Sequence, residues 1–303
     1  MAYLDIPLQL VRASKLKAAS VVLTMLAGLL WLPAFAAPYH VLLESNDNLG
    51  AGQEIFLVSY DSYADLISNT QASSAFSQLN VNASYSVGGF TYDGSAYHVL
   101  LESNNNLGAG QEIFLVSYDS YADLISNTQA SSAFSQLNVN ASYSVGGFTY
   151  DGSAYHVLLE SNDNLGAGQE IFLVSYDSYA DLISNTQASS AFSQLNVNAS
   201  YSVGGFTYDG SAYHVLLESN DNLGAGQEIF LVSYSSYADL ISNTQASSGF
   251  SQLNVNASYG VGGLTAEWLS NEPPPPGRLP EPGTLLLLGF GIAGLAATRR
   301  RRR

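Results

Sequence analysis

From Tyr39 onward the apolar residues recur with a period of two, the spacing of a strand and not of a helix. In YHVLLES, Tyr39, Val41 and Leu43 share one face while His40, Leu42 and Glu44 share the other, which predicts a strand over Tyr39–Ser45. EIFLVSY, Glu54 to Tyr60, is apolar on both faces and predicts a second strand covered by neighbours on each side. Third and fourth strands are expected over Phe76–Asn82 and Val87–Tyr92. Between them, Asn46 to Gln53 reads as an Asn/Asp/Gly loop, and Tyr92-Asp93-Gly94-Ser95 carries the Asp-Gly pair of a tight hairpin. Asp61 to Ala75 is a longer connection in which Tyr63–Ile67 has the makings of one helical turn.

This pattern is copied. YHVLLESN begins at Tyr39, Tyr97, Tyr155 and Tyr213, a fixed step of 58 residues, and the four units fill nearly all of the chain between its two ends. The first and third units are identical, the second differs from them by Asn105 in place of Asp47, and the fourth drifts mainly toward its end. Near-identity of this kind reflects recent duplication, so recurrence alone gives no residue a function. The expected fold class is all-β, with tandem four-stranded repeats. VGGFTYDGSAYHVLLES resembles the Gly-aromatic-x-Tyr-Asp-Gly hairpins of bacterial β-propeller repeats, which implies a four-bladed propeller. The array ends agree with a ring. The first unit lacks a leading VGGFTYDG strand, and the fourth runs on to Val261-Gly262-Gly263-Leu264-Thr265, which is free to complete the first blade. Gly88 and Gly89 suit an innermost strand, where sheets converge. The alternative is an open row of small β-units stabilised by stacking.

The two ends of the chain differ from the interior. Arg12, Lys15 and Lys17 precede an apolar run from Ala18 to Leu32, then Pro33 and the small-residue pattern Ala34-Phe35-Ala36, the order of a secretory signal peptide cut after Ala36 by signal peptidase. The run of 15 residues is short beside the roughly 20 that span a bilayer. The expected organisation is therefore a signal peptide over 1–36, a repeat domain over 37–268, a Pro-rich linker over 269–279 and a terminal segment over 280–303.

That last segment joins Pro280-Glu281-Pro282, an apolar stretch from Thr284 to Thr298 and five arginines, Arg299, Arg300 and Arg301 among them. In content and order it resembles the PEP-CTERM sorting signal of Gram-negative bacteria. The resemblance implies a transmembrane helix, recognition by an exosortase, and transfer to the cell surface or an extracellular polysaccharide matrix. The arginines hold the C-terminus in the cytoplasm by the positive-inside rule, with the folded middle across the inner membrane.

Charge sharpens this picture. The formal net charge of −16 hides a segregation: no Lys or Arg occurs between Ala18 and Gly277, and the residues from Tyr39 to Gly277 carry 23 acids. Such a surface excludes nucleic acid, whose affinity depends on basic side chains at phosphates. With no cysteine there is no disulfide frame, thiolate metal site or thiol nucleophile.

Candidate chemistry is sparse. Each unit has one histidine, His40, His98, His156 and His214, on the strand beside the innermost one, a position unsuited to converging on an axial metal. These read as ordinary strand histidines. The loop from Glu44 to Glu54 offers oxygen ligands for calcium without matching the EF-hand pattern; the candidates are Asp47 and Glu54, Asp163 and Glu170, Asp221 and Glu228. No G-x-S-x-G elbow or other nucleophile motif occurs, and the chain is expected not to be an enzyme and to need no cofactor. Tyr60, Tyr63, Tyr85 and Tyr92 flank loops, where their rings either stack on sugars or fill sheet interfaces. Two functions remain: a structural or adhesive protein of an exopolysaccharide matrix or biofilm, and a carbohydrate-binding propeller that retains a particular exopolysaccharide.

Overall fold

The computed structural model describes residues 37–45, 53–79, 85–103, 111–137, 143–161, 169–195, 201–219, 227–253 and 259–269, all within one unit, Met1–Leu269. The expected signal peptide, all of the linker after Leu269, and the terminal membrane helix lie outside the described residues. Among the described residues no helix is long and apolar enough to cross a membrane.

The first unit gives β1 (Tyr39–Ser45), β2 (Gln53–Tyr60), α1 (Tyr63–Ser68) and β3 (Ser73–Leu79). The chain continues through β4 (Tyr85–Tyr92), β5 (Tyr97–Ser103), β6 (Gln111–Tyr118), α2 (Tyr121–Ser126) and β7 (Ser131–Leu137). Next come β8 (Tyr143–Tyr150), β9 (Tyr155–Ser161), β10 (Gln169–Tyr176), α3 (Tyr179–Ser184) and β11 (Ser189–Leu195). The last set is β12 (Tyr201–Tyr208), β13 (Tyr213–Ser219), β14 (Gln227–Tyr234), α4 (Tyr237–Ile241), β15 (Ser247–Leu253) and β16 (Tyr259–Ala266).

These strands form four antiparallel sheets. Three are consecutive in sequence, β4 to β7, β8 to β11 and β12 to β15; the fourth has the order β16-β1-β2-β3. The last strand therefore completes the first blade, from Tyr39 opposite Ala266 to Ser45 opposite Tyr259, and the fold is a closed four-bladed propeller instead of an open row.

The third strand departs from expectation. The third strand begins at Ser73, three residues before Phe76, because the helix ends sharply: Asn69 takes the left-handed conformation at φ 53°, and the Ala72 N–H donates to the Ser59 carbonyl at 2.8 Å. That return sets Ser73 against Ser59, and register with β2 outweighs the weak strand propensity of the serines. The helix itself, although only one and a half turns long, is fixed by a capping pair. The Ser62 hydroxyl accepts the Asp65 N–H at 3.2 Å and donates to the Asp65 carboxylate at 2.6 Å.

The inner strands β4, β8, β12 and β16 pack against one another around the ring. Each has a bulge at its glycine pair, the register slipping between Val87 and Gly89 in β4. Backbones approach so closely here that side chains do not fit. A Cβ on Gly88 would lie 2.8 Å from Val145 Cβ, and one on Gly89 would lie 2.5 Å from Phe148 Cβ and 2.8 Å from its backbone nitrogen. The same relation runs Gly146 to Val203, Gly204 to Val261 and Gly262 to Val87, closing the circle.

Inner strands have no strand on their axial side, so their remaining N–H groups need other acceptors. The preceding blade supplies them. Val87 N–H donates to the Glu44 carboxylate at 2.8 Å and Tyr92 N–H to the Thr265 hydroxyl at 2.9 Å, and equivalent bonds recur at the other blade junctions.

Between blades lie dry layers. Leu42, Ile55, Leu57 and Leu79 of the first blade meet Val99, Leu101, Val116 and Tyr118 of the second, all of them 0% exposed. Each such aliphatic side chain is worth about 1.5–3 kcal/mol relative to exposure, so the interfaces between blades supply most of the hydrophobic stabilisation.

Replacing Gly89 with alanine separates closed from open packing. In an open strand the change would be neutral or stabilising by roughly 0.5–1 kcal/mol. In this ring it pushes against backbone, and the unfolding free energy in urea should fall by about 2–3 kcal/mol.

Candidate functional site

The chemistry-bearing side chains gather at the blade end that carries the Asp-Gly turns. Asp93 follows β4, and its Oδ1 accepts from the Ser95 and Ala96 N–H groups at 2.8 and 2.9 Å, which fixes the turn. Its Oδ2 faces inward and accepts from His98 Nε2 at 2.9 Å and from the Tyr155 hydroxyl of the next blade at 2.7 Å. His98 Nδ1 lies 2.8 Å from Ser117 Oγ, and Ser117 Oγ lies 3.0 Å from the hydroxyl of Tyr179, again on the next blade. Tyr179 also stacks on the His98 ring, with centroids 4.6 Å apart.

The Asp93 carboxylate is an acceptor only, so His98 Nε2–H and the Tyr155 hydroxyl both donate to it, while Ser117 Oγ bridges His98 Nδ1 and the Tyr179 hydroxyl.

This clasp occurs at every junction. Asp151, His156 and Ser175 engage Tyr213 and Tyr237; Asp209, His214 and Ser233 engage Tyr39 and Tyr63. The first blade has no Asp-Gly turn ahead of His40. Its acid comes from the other end of the chain, 227 residues away, where Glu267 follows β16 at the position of Asp93 in the 58-residue step. Glu267 Oε1 accepts from His40 Nε2 at 2.6 Å and from the Tyr97 hydroxyl, while Ser59 and Tyr121 complete the set.

Trp268 takes the place of the turn glycine in the same way. The other three corners have Gly94, Gly152 and Gly210 at φ 91° to 92°, and the indole lies over two of them. A Cβ on Gly152 would come within 2.8 Å of the indole and one on Gly210 within 3.0 Å, and Tyr208 meets it edge-on with centroids 5.2 Å apart. Among the described residues, none hydrogen-bonds the buried Trp268 Nε1.

Serine, histidine and an acid within hydrogen-bond reach have the membership of a nucleophilic triad. Here, however, the serine contacts Nδ1 and the acid Nε2, and Ser59, Ser117, Ser175 and Ser233 are only 2–4% exposed, each bonded to a tyrosine hydroxyl. What the arrangement does is tie blades together. The histidines, expected as ordinary strand residues, are its centre and are themselves 4–5% exposed. Burial raises the Asp93, Asp151 and Asp209 carboxyls, but the histidine and tyrosine hydrogen bonds outweigh it and hold all three well below the usual carboxylate range.

Other candidates separate. Tyr60 is fully buried, its hydroxyl donating to Asn69 Oδ1 at 3.1 Å, and Tyr63 stacks on His214 at 4.7 Å, so these two fill interfaces. Burial pushes the equivalent Tyr118, Tyr176 and Tyr234 hydroxyls up to about 12. Tyr85 and Tyr92 remain half-buried. Of the calcium candidates, Asp47, Asp163 and Asp221 lie outside the described residues, as do the side chains of Glu54 and Glu228; Glu170 is a half-buried residue of β10 whose backbone pairs with Gln194. Among the described residues no three or more His, Cys, Asp or Glu side chains gather as a metal site would require.

Comparison with known proteins adds one match. The PEP-CTERM protein-sorting motif covers residues 279–302, including Pro280, Glu281, Pro282 and Arg299 to Arg301. The motif marks the chain as an exported, exosortase-targeted precursor, anchored in the membrane of a Gram-negative bacterium. No curated protein matches the chain.

Two outcomes test the clasp. The lowered aspartates contribute stability that is present above their unfolded value of 3.8 and lost below it, while the clasp tyrosines Tyr155 and Tyr213, raised by burial and by the aspartates they bond, contribute stability that is present below their unfolded value of 10.0 and lost above it. The melting temperature should therefore fall as the pH drops below 3.8 and as it rises above 10.0. Glu267→Ala leaves His40 Nε2 and the Tyr97 hydroxyl without an acceptor and should cost about 2 kcal/mol or more, measured by chemical denaturation.

Proposed function

We propose that the protein is a structural or adhesive component of the cell surface or extracellular matrix, delivered there by exosortase processing. The sorting motif at 279–302 carries this reading, because it couples export to a terminal membrane segment. The repeat unit supports it from the other side. Four near-identical blades present each surface feature four times on a rigid frame, which favours multivalent contact over a single specialised site. The reading is non-enzymatic, in keeping with serines enclosed behind tyrosines.

Export leaves a strongly acidic body outside the cell. The 23 acids between Tyr39 and Gly277 meet no lysine or arginine before Arg278, so divalent cations, calcium among them, are natural electrostatic partners of a matrix built from it.

A second reading, a carbohydrate-binding propeller, draws on one observation. Phe76, Phe134 and Phe192 are 53–54% exposed, and the half-buried pairs Tyr85–Phe114 and Tyr143–Phe172 lie on the same blade faces at 5.9 and 6.0 Å. Such rings suit stacking on sugars.

Replacing Pro280 and Pro282 with alanine should leave the protein in the inner-membrane fraction, with its precursor mass retained on immunoblots. Unchanged release of the shorter form would refute exosortase sorting. Saturable retention on the producer's own polysaccharide would favour the second reading over the first.

A further inference from the structure

The two edges of each blade are treated differently. On the axial edge, side chains of the preceding blade accept the inner strand's N–H groups, Glu44 for Val87 and Thr265 for Tyr92. The outer edge is β3, β7, β11 or β15, at which each sheet ends, and among the described residues no further strand pairs with it. An edge strand carries a row of backbone donors and acceptors along its outer side, and soluble proteins usually guard it with lysine, proline, inward charges or a bulge. SSAFSQL has none of these. Ser73, Ser74, Phe76 and Gln78 are exposed, and Phe76 is 54% exposed although it is the largest side chain in the strand.

Charge singles out the same surface. The chain carries 23 acids between Tyr39 and Gly277, yet Leu66 to Tyr92 contains no charged residue, and neither do Leu124 to Tyr150, Leu182 to Tyr208 and Leu240 to Ala266. The outer strand lies inside each neutral window. Two copies of so acidic a molecule repel one another over most of their surfaces, and these four strips are where they approach at least cost.

We propose that the outer strand of each blade pairs antiparallel with the same strand of a second copy, joining two blades into one eight-stranded sheet. The proposal rests on the structural reading above and gives it a contact. The strand is self-complementary about Phe76: with Phe76 opposite its equivalent, Ser74 faces Gln78, Ala75 faces Ser77, and Ser73 faces Leu79. Side-chain alternation is preserved across the pair, so the two exposed phenylalanines fall on one face as an aromatic cross-strand pair. A seven-residue strand pair is small beside the roughly 1,000 Å² of a stable interface, so one contact is weak. Edges on every blade make the ring multivalent, and weak contacts then sum to an extended array.

Sedimentation velocity of the full-length protein in mild detergent tests this. The sedimentation coefficient should rise with protein concentration and rise further with sodium chloride, which screens like-charge repulsion. The triple variant Phe76→Lys, Phe134→Lys, Phe192→Lys should associate at least tenfold more weakly while keeping the melting temperature of the unaltered protein, since each ring is half-exposed to begin with. If the variant fails to fold, amide exchange of the unaltered protein decides instead: Ser73–Leu79 and its equivalents should gain protection as concentration rises. A protein that stays monomeric throughout overturns the proposal, and so does association that the lysines leave unchanged, the result expected of contacts through the apolar tail. Loss of retention on a polysaccharide column in a variant whose parent is monomeric assigns the phenylalanines to glycan binding and overturns it as well. None of these outcomes bears on export, which the Pro280 and Pro282 variants read separately.

Discussion

Four inner strands meet so closely that a side chain on one leaves room only for glycine on the next, and the rest of the molecule follows from that contact. Val145 Cβ occupies the space where Gly88 would carry its own, and the relation repeats until Gly262 meets Val87. Glycine at these points lets the backbones converge, and convergence turns four sheets into a ring. Once the strands are this near, their axial N–H groups lose access to water and need acceptors. Glutamate and threonine side chains from the preceding blade provide them, so each blade is completed by its neighbour.

The polar clasp performs the same service at the turn end. A carboxylate, an imidazole and two kinds of hydroxyl, all largely buried, would be costly alone, but each finds a hydrogen-bond partner within the network. The tyrosines come from the following blade, so the network is satisfied only when blades are docked. This makes the clasp a test of correct assembly as much as a source of stability. It also explains why a constellation with the membership of a triad has no free nucleophile: every lone pair that matters is already engaged within the ring.

Much of this was legible in the sequence. Period-two alternation located β1, β2 and β4 within two residues, and the missing first strand with the surplus last one foretold closure. The third strand was set too late because serine and threonine signal loops locally, whereas pairing with Ser59 decides where β3 begins. The histidines were undervalued for a similar reason. A lone histidine on a strand has no local signature, and its partners stand 5, 19 and 81 residues away or, for His40, 227. One signal was available: the step of 58 residues superposes Glu267 on Asp93 and Trp268 on Gly94, so these two changes of the fourth unit fall at the clasp of the first blade. The acidic loops proposed for calcium lie outside the described residues and took no part in this comparison.

The chain is cut between the first and second strands of a blade, so every duplication unit begins with the second strand of one blade and ends with the inner strand of the next. Recombination between identical units therefore lengthens or shortens the gene in whole blades and always returns the same two ends to the same closing sheet. No step of that process counts to four. The count shows at the axis, where the glycine of one strand packs against the valine of the next at four junctions and the last of them, Gly262 against Val87, returns to the first blade pair.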